Sequence, residues 1–151
     1  MAGPGYIISG LRKVPQEITR ILKEIPDFYE SEPLEPGEWS VHQILVHIQS
    51  VNEQVYFPRL KRILEQDNPL FQDFDADEWM RAHYDPSLPQ EEVIDQIAVQ
   101  CEEMANWLDE LRVADWDRPG THVVLGTHPL EWWADRMESH ILEHLAQLRG
   151  E

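Results

Sequence analysis

Cysteine is nearly missing from this chain of 151 residues: the single Cys101 can form no internal disulfide, which fits a reducing compartment. Positive charge is scarce as well. Twelve Lys and Arg face 29 Asp and Glu, for a formal net charge of −17. Phosphate backbones are bound through Lys and Arg, so nucleic acid is excluded as a natural partner, and so is an anionic membrane surface. There is no signal-peptide pattern and no apolar run long enough to span a bilayer. The expected location is therefore the cytoplasm. A Gly-rich phosphate loop and a G-x-S-x-G nucleophile elbow are both absent, which removes two common routes to catalysis.

What is present is ample core material, with 42% hydrophobic residues beside 27% charged ones. The length suits one domain over residues 1–151, burying roughly 70% of the unfolded surface. Apolar residues recur at helical spacing in four stretches. The first runs from Val14 to Phe28, with Pro15 suited to a first turn and Pro26 ending it near Ile25. A Pro/Glu-rich connector, ESEPLEPGE, follows. The second starts after Ser40, with Gln43 three residues on in a capping-box pattern, and is expected to reach about Glu65 with a bend near Pro58. The third spans about Gln90 to Leu111 and has Cys101 on its apolar face, as core. The fourth spans about Pro129 to Arg149 and buries Trp133 and Met137.

Four amphipathic helices cover one another most economically as a four-helix bundle, so the expected class is all-α. The connector between helices two and three, Asp67 to Pro89, is too long to be structureless, and the spacing predicts a short helix at Ala76 to His83. THVVLGTH is the one β-like run. Trp39 is expected to anchor its connector on the bundle.

The chemistry concentrates in the histidines. His140 and His144 lie one turn apart and project the same way, at the edge of the fourth helix's apolar stripe. Such a pair can chelate an ion or can simply pack, hydrogen-bonded to neighbours. His47 flanks the apolar face of helix two, and if helices two and four are neighbours it joins the pair. Three neutral nitrogens would then surround one ion with positions open for water or substrate. His42 points about 130° away from that stripe and reads as a surface residue. His83, His122 and His128 fall in loops or at a helix start, and their spacing does not recommend them as ligands. HILEH matches an inverted zinc-protease pattern with Glu143 as base, but those enzymes take a further ligand well downstream and only seven residues follow His144. A ferritin-like di-iron site needs Glu-x-x-His pairs that this chain does not offer.

Four stretches together, PGEWSVHQILVHI, DADEW, DWDRPGTHVVLGTHPL and SHILEHLAQL, resemble the DinB/YfiT-like superfamily of metal-binding four-helix bundles. The resemblance spans nearly the whole chain. It implies a three-histidine metal site on His47, His140 and His144, a divalent ion (zinc or nickel foremost) and a homodimer. It also implies a small-molecule substrate, handled by a metal-dependent hydrolase or by an S-transferase with a low-molecular-weight thiol as cosubstrate. The alternative is a non-catalytic stress-response or binding module with a structural or vestigial metal. Many relatives carry an arginine in the middle of helix three, where this chain has Gln100 and Cys101, and an acid where it has Asn52. Substrate specificity therefore does not transfer, and no catalytic residue is assigned, although Asn52, Gln54 and Glu143 are polar groups near the expected site.

Overall fold

Ser40 begins the element on which the fold turns. Its Oγ accepts from the Gln43 N–H at 3.2 Å while Gln43 Oε1 accepts from the Ser40 N–H at 2.9 Å, the reciprocal cap expected from the sequence. The computed structural model describes residues 4–151; residues 1–3 of the expected domain lie outside the described residues. The helices are α1 (Gly5–Lys23), α2 (Val41–Val51), α3 (Phe57–Glu65), α4 (Ala76–His83), α5 (Gln90–Asp109) and α6 (Leu130–Leu148). α2 and α3 are joined by a π-helical turn, Asn52–Tyr56, so together they form the second long helix of the bundle.

α1 packs on α5 and α6, and α2 packs on the same two, so α1 and α2 occupy one diagonal of the square. The Pro-rich connector therefore crosses the end of the bundle rather than making a tight hairpin. The four apolar stripes meet in one core that includes Leu11, Ile44, Ile48, Ile97, Met137 and Ile141, with Cys101 and Trp133 enclosed as expected.

One expectation is corrected and two features are added. α1 starts at Gly5, well before Val14, and Pro15 lies inside it. Ile7 and Leu11 extend the buried stripe of Val14, Ile18 and Ile21, and that burial outweighs the one hydrogen bond a proline removes. Near Pro58 the helix widens into a π turn: the Phe57 N–H reaches back to Asn52 O just before the residue that has no N–H to give. Finally, the all-α four-helix bundle stands as expected, with one small three-stranded sheet beside it. β1 (Leu70–Phe71) pairs in parallel with β2 (Pro119–His122), which pairs antiparallel with β3 (Gly126–Pro129). Gly126, at φ 84°, closes the hairpin that THVVLGTH only hinted at. Trp133 Nε1 ties this sheet to α6 by donating to Gly120 O and His128 O at 3.2 and 3.0 Å. A Cβ on Gly120 would stand 2.7 Å from Phe71, so only glycine lets the strand approach this closely. The short helix at Ala76 to His83 stands as expected, capped by Asp75.

Candidate metal centre

Helical spacing puts His140 above His144 on α6, and the diagonal arrangement sets α2 beside that face. His140 Nε2 lies 3.1 Å from His47 Nε2 and 3.1 Å from His144 Nε2. One nitrogen of each of the three lies within 4.8 Å of the others. Nitrogens bound tetrahedrally at 2.0–2.1 Å stand about 3.3 Å apart, so the three rings are nearly at the spacing a single ion requires.

Burial prepares two of these rings, His140 and His47, as neutral donors. It lowers the His140 pKa to about 3, helped by the charges of His144, His47 and Arg136. It lowers the His47 pKa to about 4, helped by His144. His144 Nδ1 lies 2.8 Å from Gln147 Oε1, an acceptor only, so its proton sits on Nδ1 and its Nε2 lone pair faces the cluster. His47 Nδ1 and His140 Nδ1 are buried without a partner. If their protons sit on Nδ1, three lone pairs converge with nothing between them. If they sit on Nε2, two buried acceptors are orphaned. Without a cation neither arrangement satisfies the cluster, whereas one cation satisfies three lone pairs at once, so the residues present fit a bound ion.

Aromatic rings wall the cluster. Trp39 lies 4.9 Å from the His47 ring and Tyr56 lies 5.5 Å from the His140 ring. Trp39 thus anchors its connector as expected, and it does so on the site itself. Tyr56 carried no signal in the sequence beyond its place on the apolar side; the π turn is what sets it against His140. Burial raises the Tyr56 phenol above its ordinary value, so the hydroxyl keeps its proton at neutral pH. Glu143 reaches the cavity of about 260 Å³ that opens on His140.

His42 is not a surface residue. It is 4% exposed, with Nδ1 2.5 Å from Tyr84 Oη and Nε2 2.6 Å from Leu88 O. The helical angle was right, but the α4–α5 connection covers the side of α2 that faces away from the bundle. His122 is buried as well, its Nδ1 accepting from the N–H groups of Val124 and Leu125. Neither joins the cluster.

The DinB superfamily profile matches residues 11–148, most of the chain. The chain belongs to the DinB superfamily. Among curated proteins it is 27% identical over 116 residues to "Putative metal-dependent hydrolase OB0782" of Oceanobacillus iheyensis. That match takes in 74% of this chain and 66% of the relative, a little under two thirds of its length. Among solved structures the fold is that of YfiT from Bacillus subtilis, described as a probable metal-dependent hydrolase with an unusual four-helix bundle topology. The TM-score is 0.79 at 19% identity, over 95% of this chain and 84% of that one. No helix among the described residues is long and apolar enough to cross a membrane.

Proposed function

We propose that this DinB-superfamily chain is a metal-dependent hydrolase of small molecules, with His47, His140 and His144 as the three ligands of one divalent ion, zinc or nickel. The observation that carries it is the meeting of three imidazoles, with His140 Nε2 3.1 Å from the Nε2 of each of the others and with His47 and His140 kept neutral by burial. The metal relatives in name, at 27% and 19% identity, point the same way. A divalent ion in this site supplies Lewis-acid polarisation and water activation, which a scaffold with no nucleophile elbow otherwise lacks.

The chain's own residues do the rest. His47 on α2 and the pair on α6 would hold the ion through three donors fixed on two rigid helices. Trp39 and Tyr56 exclude water from the flanks of the cluster. The protonated Tyr56 hydroxyl is a donor for negative charge that develops on a substrate oxygen. Glu143, an exposed carboxylate on the rim of the same cavity, accepts a proton from the attacking water. The cavity volume of about 260 Å³ suits a small ligand.

The test is metal content per chain of protein purified without a histidine tag, in wild type and in His47→Ala, His140→Ala and His144→Ala. One ion per chain in wild type and a sharp loss in each variant is expected; retention in all three overturns the ligand set. Ester and amide substrates assayed with and without added low-molecular-weight thiols then separate hydrolysis from S-transfer.

A further inference from the structure

In a chain of net charge −17, arginine side chains that face a cavity without a carboxylate partner stand out. Arg136 lies one helical turn before His140 and lines the cavity that opens on that ring. No carboxylate among the described residues forms an ion pair with it. Instead its guanidinium is held over the Trp132 ring, 5.5 Å from the centroid, and Trp132 is stacked on His128 with centroids 3.6 Å apart. That support orients the guanidinium without neutralising its charge. Arg59 on α3 is close enough for the two positive charges to act on each other, and the Tyr56 hydroxyl lies beside both. Arg59 lines a different cavity, where it donates to the Gln72 carbonyl at 2.8 Å, which leaves Arg136 as the guanidinium of this one.

We propose that Arg136 is a carboxylate-binding subsite that selects small substrates carrying a carboxylate a few bonds from the hydrolysed amide or ester. This rests on the hydrolase reading above and names its substrate class. A planar guanidinium matches a carboxylate with two parallel hydrogen bonds. A phosphate dianion is disfavoured because two carboxylates, Glu143 and Asp135, line the same cavity. Asp135 is already engaged by the Tyr6 hydroxyl at 2.8 Å, so Glu143 is the carboxylate left free to repel a doubly charged ligand. His140 follows Arg136 by four residues, about 6 Å along the helix, which sets how far the carboxylate lies from the bond to be hydrolysed.

The experiment is an NMR titration of full-length protein, metal-free and zinc-loaded, following the Ser139 and His140 amides and the Trp132 indole. The probes are N-acetylglycine, its neutral counterpart N-acetylglycinamide, and methyl phosphate. N-acetylglycine is expected to bind saturably, at least about tenfold more tightly than the neutral amide, as a charge-assisted pair implies. Arg136→Gln should erase that preference while leaving N-acetylglycinamide binding unchanged, which also shows that the variant is folded. Should Arg136→Gln not fold, the wild-type preference among the three probes decides alone. Equal binding of the two glycine probes, tighter binding of methyl phosphate, or an unaltered preference in Arg136→Gln overturns the proposal. Failure of zinc to bind would sink the hydrolase reading, yet the metal-free titration would still report on Arg136. Binding of zinc with no carboxylate preference would remove only the subsite.

Discussion

His42→Ala separates fold from the proposed metal site, because His42 is a buried histidine on the same helix as His47 that lies outside the three-histidine cluster. The substitution removes an imidazole that is 4% exposed and bridges Tyr84 Oη and Leu88 O. Each bond contributes a net of about 1 kcal/mol. Tyr84 and Leu88 are only half-buried, so water can reach the groups left behind and the full desolvation penalty does not apply. The vacated ring volume adds a cavity cost of about 1–2 kcal/mol. The sum is about 3 kcal/mol, which for a domain of this size lowers Tm by roughly 6–12 °C. The loss is local in origin, since His42 clamps the α4–α5 connection to α2. Thermal melts by circular dichroism, with zinc content measured on the same samples, should show a large drop in Tm and full metal occupancy. His144→Ala should show the converse, a loss of zinc with metal-free stability nearly kept. A His42→Ala protein that melts like wild type, or that loses zinc as His144→Ala does, would refute the reasoning.

Gln147→Ala removes the acceptor that holds His144 Nδ1–H and should weaken zinc binding about 10–100-fold, read by competition with a chromophoric chelator. Metal-free protein should lose stability as pH falls: unfolded His47 and His140 take up protons near 6.5, the folded residues only near 4 and 3, so the unfolded state binds protons first. The contribution of these rings is complete above pH 6.5 and falls from there toward pH 3, and a urea midpoint unchanged between pH 7.5 and 5 would contradict it. Glu138 has the opposite sign. Burial first, then Asp135, raises its pKa to about 7, so its contribution is complete below pH 4.5 and is lost as pH rises through 7. Glu138→Gln should therefore raise the melting temperature at pH 8 and leave it nearly unchanged at pH 4.

Which parts of this protein could be read in advance follows from the range of the interactions involved. The capping box at Ser40, the helix from Ala76 to His83 and the His140–His144 pair are set by residues within one turn of each other, and each was legible. His47 was legible only jointly, because its helical angle means nothing until α2 is placed beside α6. The start of α1 was misplaced because Pro15 is strong local punctuation, whereas burial of Ile7 and Leu11 against other helices is not visible locally. His42 failed for the same reason, since the element that covers it lies more than 40 residues downstream. β1 has two residues and no alternation of its own; only its pairing with β2 makes it a strand. Arg136 and Tyr56 drew no notice because an arginine on a helix surface and a tyrosine on an apolar face are ordinary until a cavity lies between them.

α6 shows why a site of this kind tolerates so little displacement. Trp132, Arg136, His140 and His144 follow one another at intervals of four, and so do Trp133, Met137, Ile141 and Leu145. The two rows run side by side about 100° apart on the helix. Every residue of the second row is enclosed in the core, at 1% exposure or less. Each functional side chain thus directly precedes a core residue whose packing fixes the local backbone, and rotation of α6 about its axis is opposed along four turns at once. Precision of this order is what three convergent donors demand, since a shift of an ångström separates nitrogens that now stand 3.1 Å apart. Trp132 supports Arg136 and Gln147 orients His144 at the two ends of the functional row. The core row therefore acts as the ruler for the functional row, and changes in core volume at Met137 or Ile141 reach the donors through the backbone they share.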